Sequence, residues 1–287
     1  MPVGRGGGMR VEGRAMRQTR TQTTTQKMTR ILAAVAVLVL SLATPRVDAE
    51  PCGLGWTAGF YSPGIDGTVR AQAVFDDGCG PALYVGGEFT DAAGITVNGI
   101  ARWDGVHWST VAGPLGLGLS EDVFAFPVTV HALAVFDDGT GPALYAAGAF
   151  STAGGVTVNN IARWNGSRWS ALTAPGGTGV GDYGFSSSVY ALTVFDDGTG
   201  PALYAGGSFR TAGGVTVNRI AKWDGVAWSP LTGPSSTGVT KTVRALTVFD
   251  DGTGPALVAG GEFSAAGGVE ANFIAKWDGS DWSPLIG

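Results

Sequence analysis

At 287 residues the chain has room for one large domain or two smaller ones, and its 48 glycines, many paired between apolar runs, exclude a helical architecture in favour of turn-dense β-structure. Its charge is unevenly spread: of 18 basic and 23 acidic side chains, residues 1–49 hold 8 and 2, so residues 50–287 carry 10 against 21, a net charge of −11. A surface so acidic and poor in lysine argues against nucleic acid and anionic membranes as partners.

The first 49 residues differ in kind from the rest. Ile31 to Ala43 is a run of 13 residues, apolar but for Ser41, preceded by Lys27 and Arg30 and followed by Val47-Asp48-Ala49. A basic start, a short apolar core and small residues at −3 and −1 predict a secretory signal cleaved after Ala49, with Met28 as the true start. The run is shorter than the roughly 20 residues a membrane span needs. The expectation is therefore a secreted mature chain, extracellular or periplasmic, with no membrane span. Its two cysteines, Cys52 and Cys79, lie near the mature N-terminus, and export permits a disulfide between them. Cys79 stands where the other repeats have Thr140, Thr199 and Thr253, so the pair reads as a staple holding the N-terminal end to the first repeat.

From there the chain repeats. Residues 69–108, 130–169, 189–228 and 243–282 are four copies of one 40-residue unit with no internal insertion or deletion. A self-similar unit of that size marks a stacked or radial repeat architecture. Each copy predicts four short strands. The first, Val243 to Phe249 in the fourth copy, ends in an Asp-Asp-Gly-Thr-Gly loop, and the second begins at Pro255, where a missing N–H is tolerated. The doublet Gly260-Gly261 inside that strand signals close backbone approach or a bulge. A polar loop leads to the third strand, Ile274 to Trp277, and an Asp-Gly turn to the fourth, which starts at Trp282.

The tryptophans of a copy are five residues apart across that last turn: Trp103 and Trp108, Trp164 and Trp169, Trp223 and Trp228, Trp277 and Trp282. A loop of two or four residues puts both rings on one face, and the expectation is that they are buried against the neighbouring copy.

The glycine doublet after an apolar strand, followed by Trp-Asp-Gly or Trp-Asn-Gly and a second Trp, resembles the kelch motif. The chain is also similar to the repeats of fungal cortical polarity-marker proteins and to exported bacterial repeat proteins of unassigned role. The resemblance covers residues 69–287 and implies a β-propeller; the Phe-Asp-Asp-Gly-Thr-Gly segment departs from the kelch pattern. The domain reading is thus a leader over 1–49 and an all-β propeller over 50–287, built from four copies of a four-stranded antiparallel unit plus one extra N-terminal strand within 52–68, where Trp56 takes the place of a fourth-strand Trp. Four copies close a ring most simply. An open arc would leave edges that invite self-association.

The links between copies vary in length, with 21, 19 and 14 residues between the last Trp of one and the first Val of the next. Such insertions commonly form a binding face. They place Phe124, Phe126, Tyr183 and Phe185, with Glu121, Asp122 and Asp182, as the candidate contacts for a protein or glycan ligand.

Other repeating residues carry competing readings. The paired aspartates of the Asp-Asp-Gly loops suggest Ca²⁺, but turn chemistry accounts for them without a metal. Arg102, Arg163, Lys222 and Lys276 recur at one position, either as a cationic ring or as stems covering the sheet faces. Glu88 and Glu262 occupy equivalent places and would face one another in a closed ring, as hydrolase carboxylates do. His107 and His131 sit at positions that vary between copies, which reads as surface. No metal-ligand spacing, nucleophile elbow or phosphate loop is present, so no catalytic residue, metal site or cofactor is expected. The functional expectation is a binding module rather than an enzyme, the alternatives being a polysaccharide hydrolase or a purely structural surface protein.

Overall fold

A computed structural model of the protein describes residues 64–114, 118–120, 128–181 and 187–285. The leader, Cys52, Trp56 and most of the segment expected to form the extra strand lie outside these residues, as do Glu121, Asp122, Phe124, Phe126, Asp182, Tyr183 and Phe185.

The described residues are all-β and contain no helix. Each copy of the repeat forms one four-stranded antiparallel sheet whose strands neighbour one another in chain order. The leading strands are Thr68–Asp76, Thr129–Asp137, Ser188–Asp196 and Val243–Asp250; the second are Pro81–Glu88, Pro142–Ala149, Pro201–Ser208 and Pro255–Gly261. The third strands each run four residues from an Ile to the first Trp, and the fourth begin at the second Trp, as the sequence predicts. A meander of this kind follows from tight, glycine-rich turns, which leave a strand no partner but the one just laid down.

The glycine doublet does both things expected of it. The leading strand bulges directly opposite, between Val69 and Ala71 in the first unit, with the same shift in the other three, including the second, where Ala147 stands in place of the first glycine. A side chain at Gly87 would lie 1.9 Å from the Thr68 carbonyl oxygen, so the doublet's second residue has no space for a Cβ. The polar loop after the second strand holds more structure than its composition suggests. It folds into a two-residue ribbon, Thr211–Ala212 paired with Val215–Thr216 in the third unit, turned by Gly213 and Gly214 at positive φ. The link before each unit adds a third segment to that ribbon, through Ile65 on Ala92, Leu119 on Ala153, Val180 on Ala212 and Val239 on Ala266. The described parts of the links thus lie down on the scaffold, with Leu172, Val180, Leu231 and Val239 buried.

Strand alternation gives every sheet two different faces. One, the tail face, carries the Phe of the leading strand, Ala and Tyr of the second and Ile of the third; the other, the head face, carries Leu and the two tryptophans. The core is the set of junctions where the tail of one unit meets the head of the next. Phe75, Ala82, Tyr84 and Ile100 of the first unit pack with Leu144, Trp164 and Trp169 of the second. Phe136, Tyr145 and Ile161 pack with Leu203, Trp223 and Trp228 in the same way, and Phe195, Tyr204 and Ile220 with Leu257, Trp277 and Trp282. The tryptophans are directly paired across their hairpin, with ring centroids 5.2 Å apart in the second and third units, so both rings do emerge on one face. Among the described residues no helix is long and apolar enough to cross a membrane.

Candidate functional site

Among the described residues two of the recurring polar positions bear on a site: one holds the fold, and the other lies at its bulges. The first is the Asp-Asp-Gly loop. The Asp76 carboxylate accepts the backbone N–H groups of Gly78 and Gly80 at 2.9 and 3.0 Å, which is turn chemistry. Asp77, one residue on, accepts the Tyr84 hydroxyl at 2.8 Å and pairs with Arg102 Nε at 2.7 Å. Asp138 holds Tyr145 and Arg163 likewise, and Asp197 holds Tyr204 and Lys222. The recurring cations therefore form no open ring. Each is tied to the aspartate of its own unit, and in the second, third and fourth units also to the Thr140, Thr199 or Thr253 hydroxyl.

These clasps are largely buried, and their titration reflects it. Burial pushes the Asp197 carboxyl upward, but hydrogen bonds from Lys222, Thr199 and Tyr204 outweigh it and leave the group at about 2. Burial first, and then the adjacent aspartate, raise the phenols of Tyr84, Tyr145 and Tyr204 well above the ordinary range. The fourth unit has Val258 in place of the tyrosine, so Asp251 keeps only Lys276 and the Thr253 loop. A groove of about 410 Å³ opens beside one clasp, between the second and third units, lined by Asp138, Thr140, Arg163, Leu172, Trp223 and Val226. Its charged groups are already engaged with one another.

The second set sits at the bulges. A bulge inserts a residue that has no ladder partner and turns its side chain out of the regular alternation. Here those residues are Arg70, His131, Tyr190 and Arg244, one per unit. They form a row across neighbouring sheets. The His131 and Tyr190 ring centroids lie 4.9 Å apart, and the Arg244 guanidinium stands over the tyrosine ring, 4.4 Å from its centroid. Arg244 also binds Glu262 through Nε and a terminal nitrogen at 2.9 and 2.7 Å, and Arg70 binds Glu88 at 3.1 Å. The two glutamates singled out in the sequence thus belong to this row, each engaged by the arginine of its own unit. Burial, followed by the charges of Arg70 and Arg244, holds the His131 imidazole below its ordinary range, with Glu88 opposing.

His107 is exposed, as its variable position suggests, but His131 is half-buried with its ring tilted against Tyr190, so the surface reading fails there. Its position varies because a bulge residue is released from the packing that fixes its flanks, Val130 and Ala132, both buried. A varying residue between two fixed apolar ones was the available signal. Comparison with protein-family models, curated proteins and solved structures finds no match for the chain.

Proposed function

We propose that the chain is an exported β-propeller module that binds a protein or glycan, using the row of bulge residues together with the variable links. The observation that carries this reading is the row itself. Four near-identical scaffolds present four side chains at one position, Arg70, His131, Tyr190 and Arg244, two of them exposed, with Glu88 and Glu262 alongside. Mixed cations, carboxylates and an aromatic ring suit hydroxyl- and carboxylate-bearing ligands, and loops or bulges on a rigid frame are the usual place for such contacts. The propeller reading is supported by the like-to-like stacking of the four sheets through one repeated junction. Neither glutamate is left to act as a catalytic acid on its own, which favours binding over hydrolysis.

The test is a glycan array and a protein pull-down with the mature chain, comparing wild type with the Tyr190→Ala/Arg244→Ala double variant and with Phe124→Ser/Tyr183→Ser in the links. Loss of one ligand in both variants supports the joint surface. A ligand that both variants retain sinks it. The proposed Cys52–Cys79 staple is checked by the intact mass, which rises by two hydrogens on reduction if the bond is present.

A further inference from the structure

Among the described residues three junctions cover a tail face with a head face, while the tail face of the fourth unit and the head face of the first are more exposed than their counterparts. In the first three units the leading-strand Phe is 4% exposed, as Phe75, Phe136 and Phe195, but Phe249 in the fourth is 56% exposed. The third-strand Ile is buried as Ile100, Ile161 and Ile220, whereas Ile274 is 41% exposed. Ala256 and Val258 on the same face remain buried. The first unit shows the converse. Val130, Val189 and Val243 on the head faces are fully buried, but Val69 is exposed, and Trp103 and Trp108 are only partly covered.

The leftover faces match in detail. At the first junction a side chain on Gly86 would lie 2.5 Å from Val130, and at the third one on Gly206 would lie 2.5 Å from Val243, so the valine of one unit fills the glycine notch of the unit before it. The equivalent notch at Gly260 is open, and the equivalent valine, Val69, has nothing to fill. Gly166, Gly225 and Gly279 press on the backbone carbonyls of Asp77, Asp138 and Asp197 in the preceding unit, while Gly105 meets no atom and Asp251 is more exposed than its counterparts.

One residue is altered for the open side. Asn160 and Arg219 donate hydrogen bonds to the Val180 and Val239 carbonyls of the following link, but the fourth unit has Phe273 at that position, 64% exposed. An apolar, exposed ring stands there in place of the polar contact.

We propose that a second copy of this chain docks head-to-tail on the fourth unit, its Val69, Trp103 and Trp108 covering Phe249, Gly260 and Ile274 as a fourth instance of the junction. The face is not isologous, since a tail accepts a head and not another tail. Two copies therefore close a ring through two such junctions, or many copies form a filament, according to the rotation between units. Because the mature chains repel one another by charge, added salt strengthens this assembly.

Analytical ultracentrifugation of the mature chain up to about 100 μM covers the micromolar-and-tighter range of interfaces of ordinary size. Wild type is expected at twice the single-chain mass or more. Phe249→Lys, which blocks the tail, and Val69→Lys, which blocks the head, are expected to remain single chains. Both alter exposed side chains, and unchanged melting curves verify that the fold is kept. A mixture of the two variants has one sound head and one sound tail, so it is expected to stop at a one-to-one dimer. A wild type that remains a single chain throughout overturns the proposal. So does assembly that survives Phe249→Lys, or a mixture that stays monomeric when wild type assembles.

Discussion

Phe195 and Phe249 stand at the same position of the same strand in sheets of nearly the same sequence, yet one is buried and the other mostly in water. The tail face of the third unit packs on the fourth, while among the described residues the Phe249 face has no such cover. Burial in this molecule is conferred by the neighbouring unit rather than by the local sequence, because a single four-stranded sheet has two apolar faces and can cover neither by itself. The cost of a substitution therefore depends on which junction it enters.

The largest contrast is expected at the tryptophans. Trp223→Ala removes a buried ring from the second junction and should cost about 3–5 kcal/mol, whereas Trp103→Ala, on the partly covered head face of the first unit, should cost less than half as much. Denaturant midpoints of the two variants measure this directly, and equal losses would mean that the junctions do not carry the stability. The phenylalanines sharpen the point. Phe195→Ala should cost about 3 kcal/mol or more, while Phe249→Ala at concentrations where the chain is single should fall within about 0.5 kcal/mol of wild type.

Acid tests the clasps. Asp197 is held at about 2, below its unfolded value of about 3.9, so its contribution is fully present above the higher value and is lost as pH falls toward the lower. The loss is on the order of 2 kcal/mol, and Asp197→Asn should remove that part of the pH dependence between about 4 and 2. A melting temperature whose acid slope is the same in both proteins would show that the clasp is energetically silent. The smallest effect is a gain. The ribbon of the first unit has Ala93 at φ 50, where the other units have Gly154, Gly213 and Gly267. Ala93→Gly should raise stability by about 0.5–1 kcal/mol by relieving the left-handed strain, which a thermal melt can resolve.

The alternation of Ala and Tyr against Leu in the second strand, the Asp-Gly turns and the glycine after the second strand's apolar run set strand ends, bulge and meander, because each is a local constraint that the copies repeat with few exceptions. The two-residue ribbons escaped notice because Thr-Ala-Gly-Gly-Val-Thr is too short and polar to show period-2 patterning, and its strands are held in part by the preceding link. The clasp partners were visible as recurring residues, but their pairing joins the loop after the first strand to the third strand 25 residues away. The bulge row was readable only as variation. That Arg70, His131, Tyr190 and Arg244 converge depends on the stacking of separate sheets.

The sequence by itself determined the unit: its strands, its turns and the two unlike faces of each sheet, all of which follow from backbone sterics and side-chain period over a few residues. Tertiary structure alone decided which faces are covered, which cation meets which carboxylate, and that Phe249 and Val69 are exposed, because burial is a property of neighbours and the same residues are core or surface according to what packs on them.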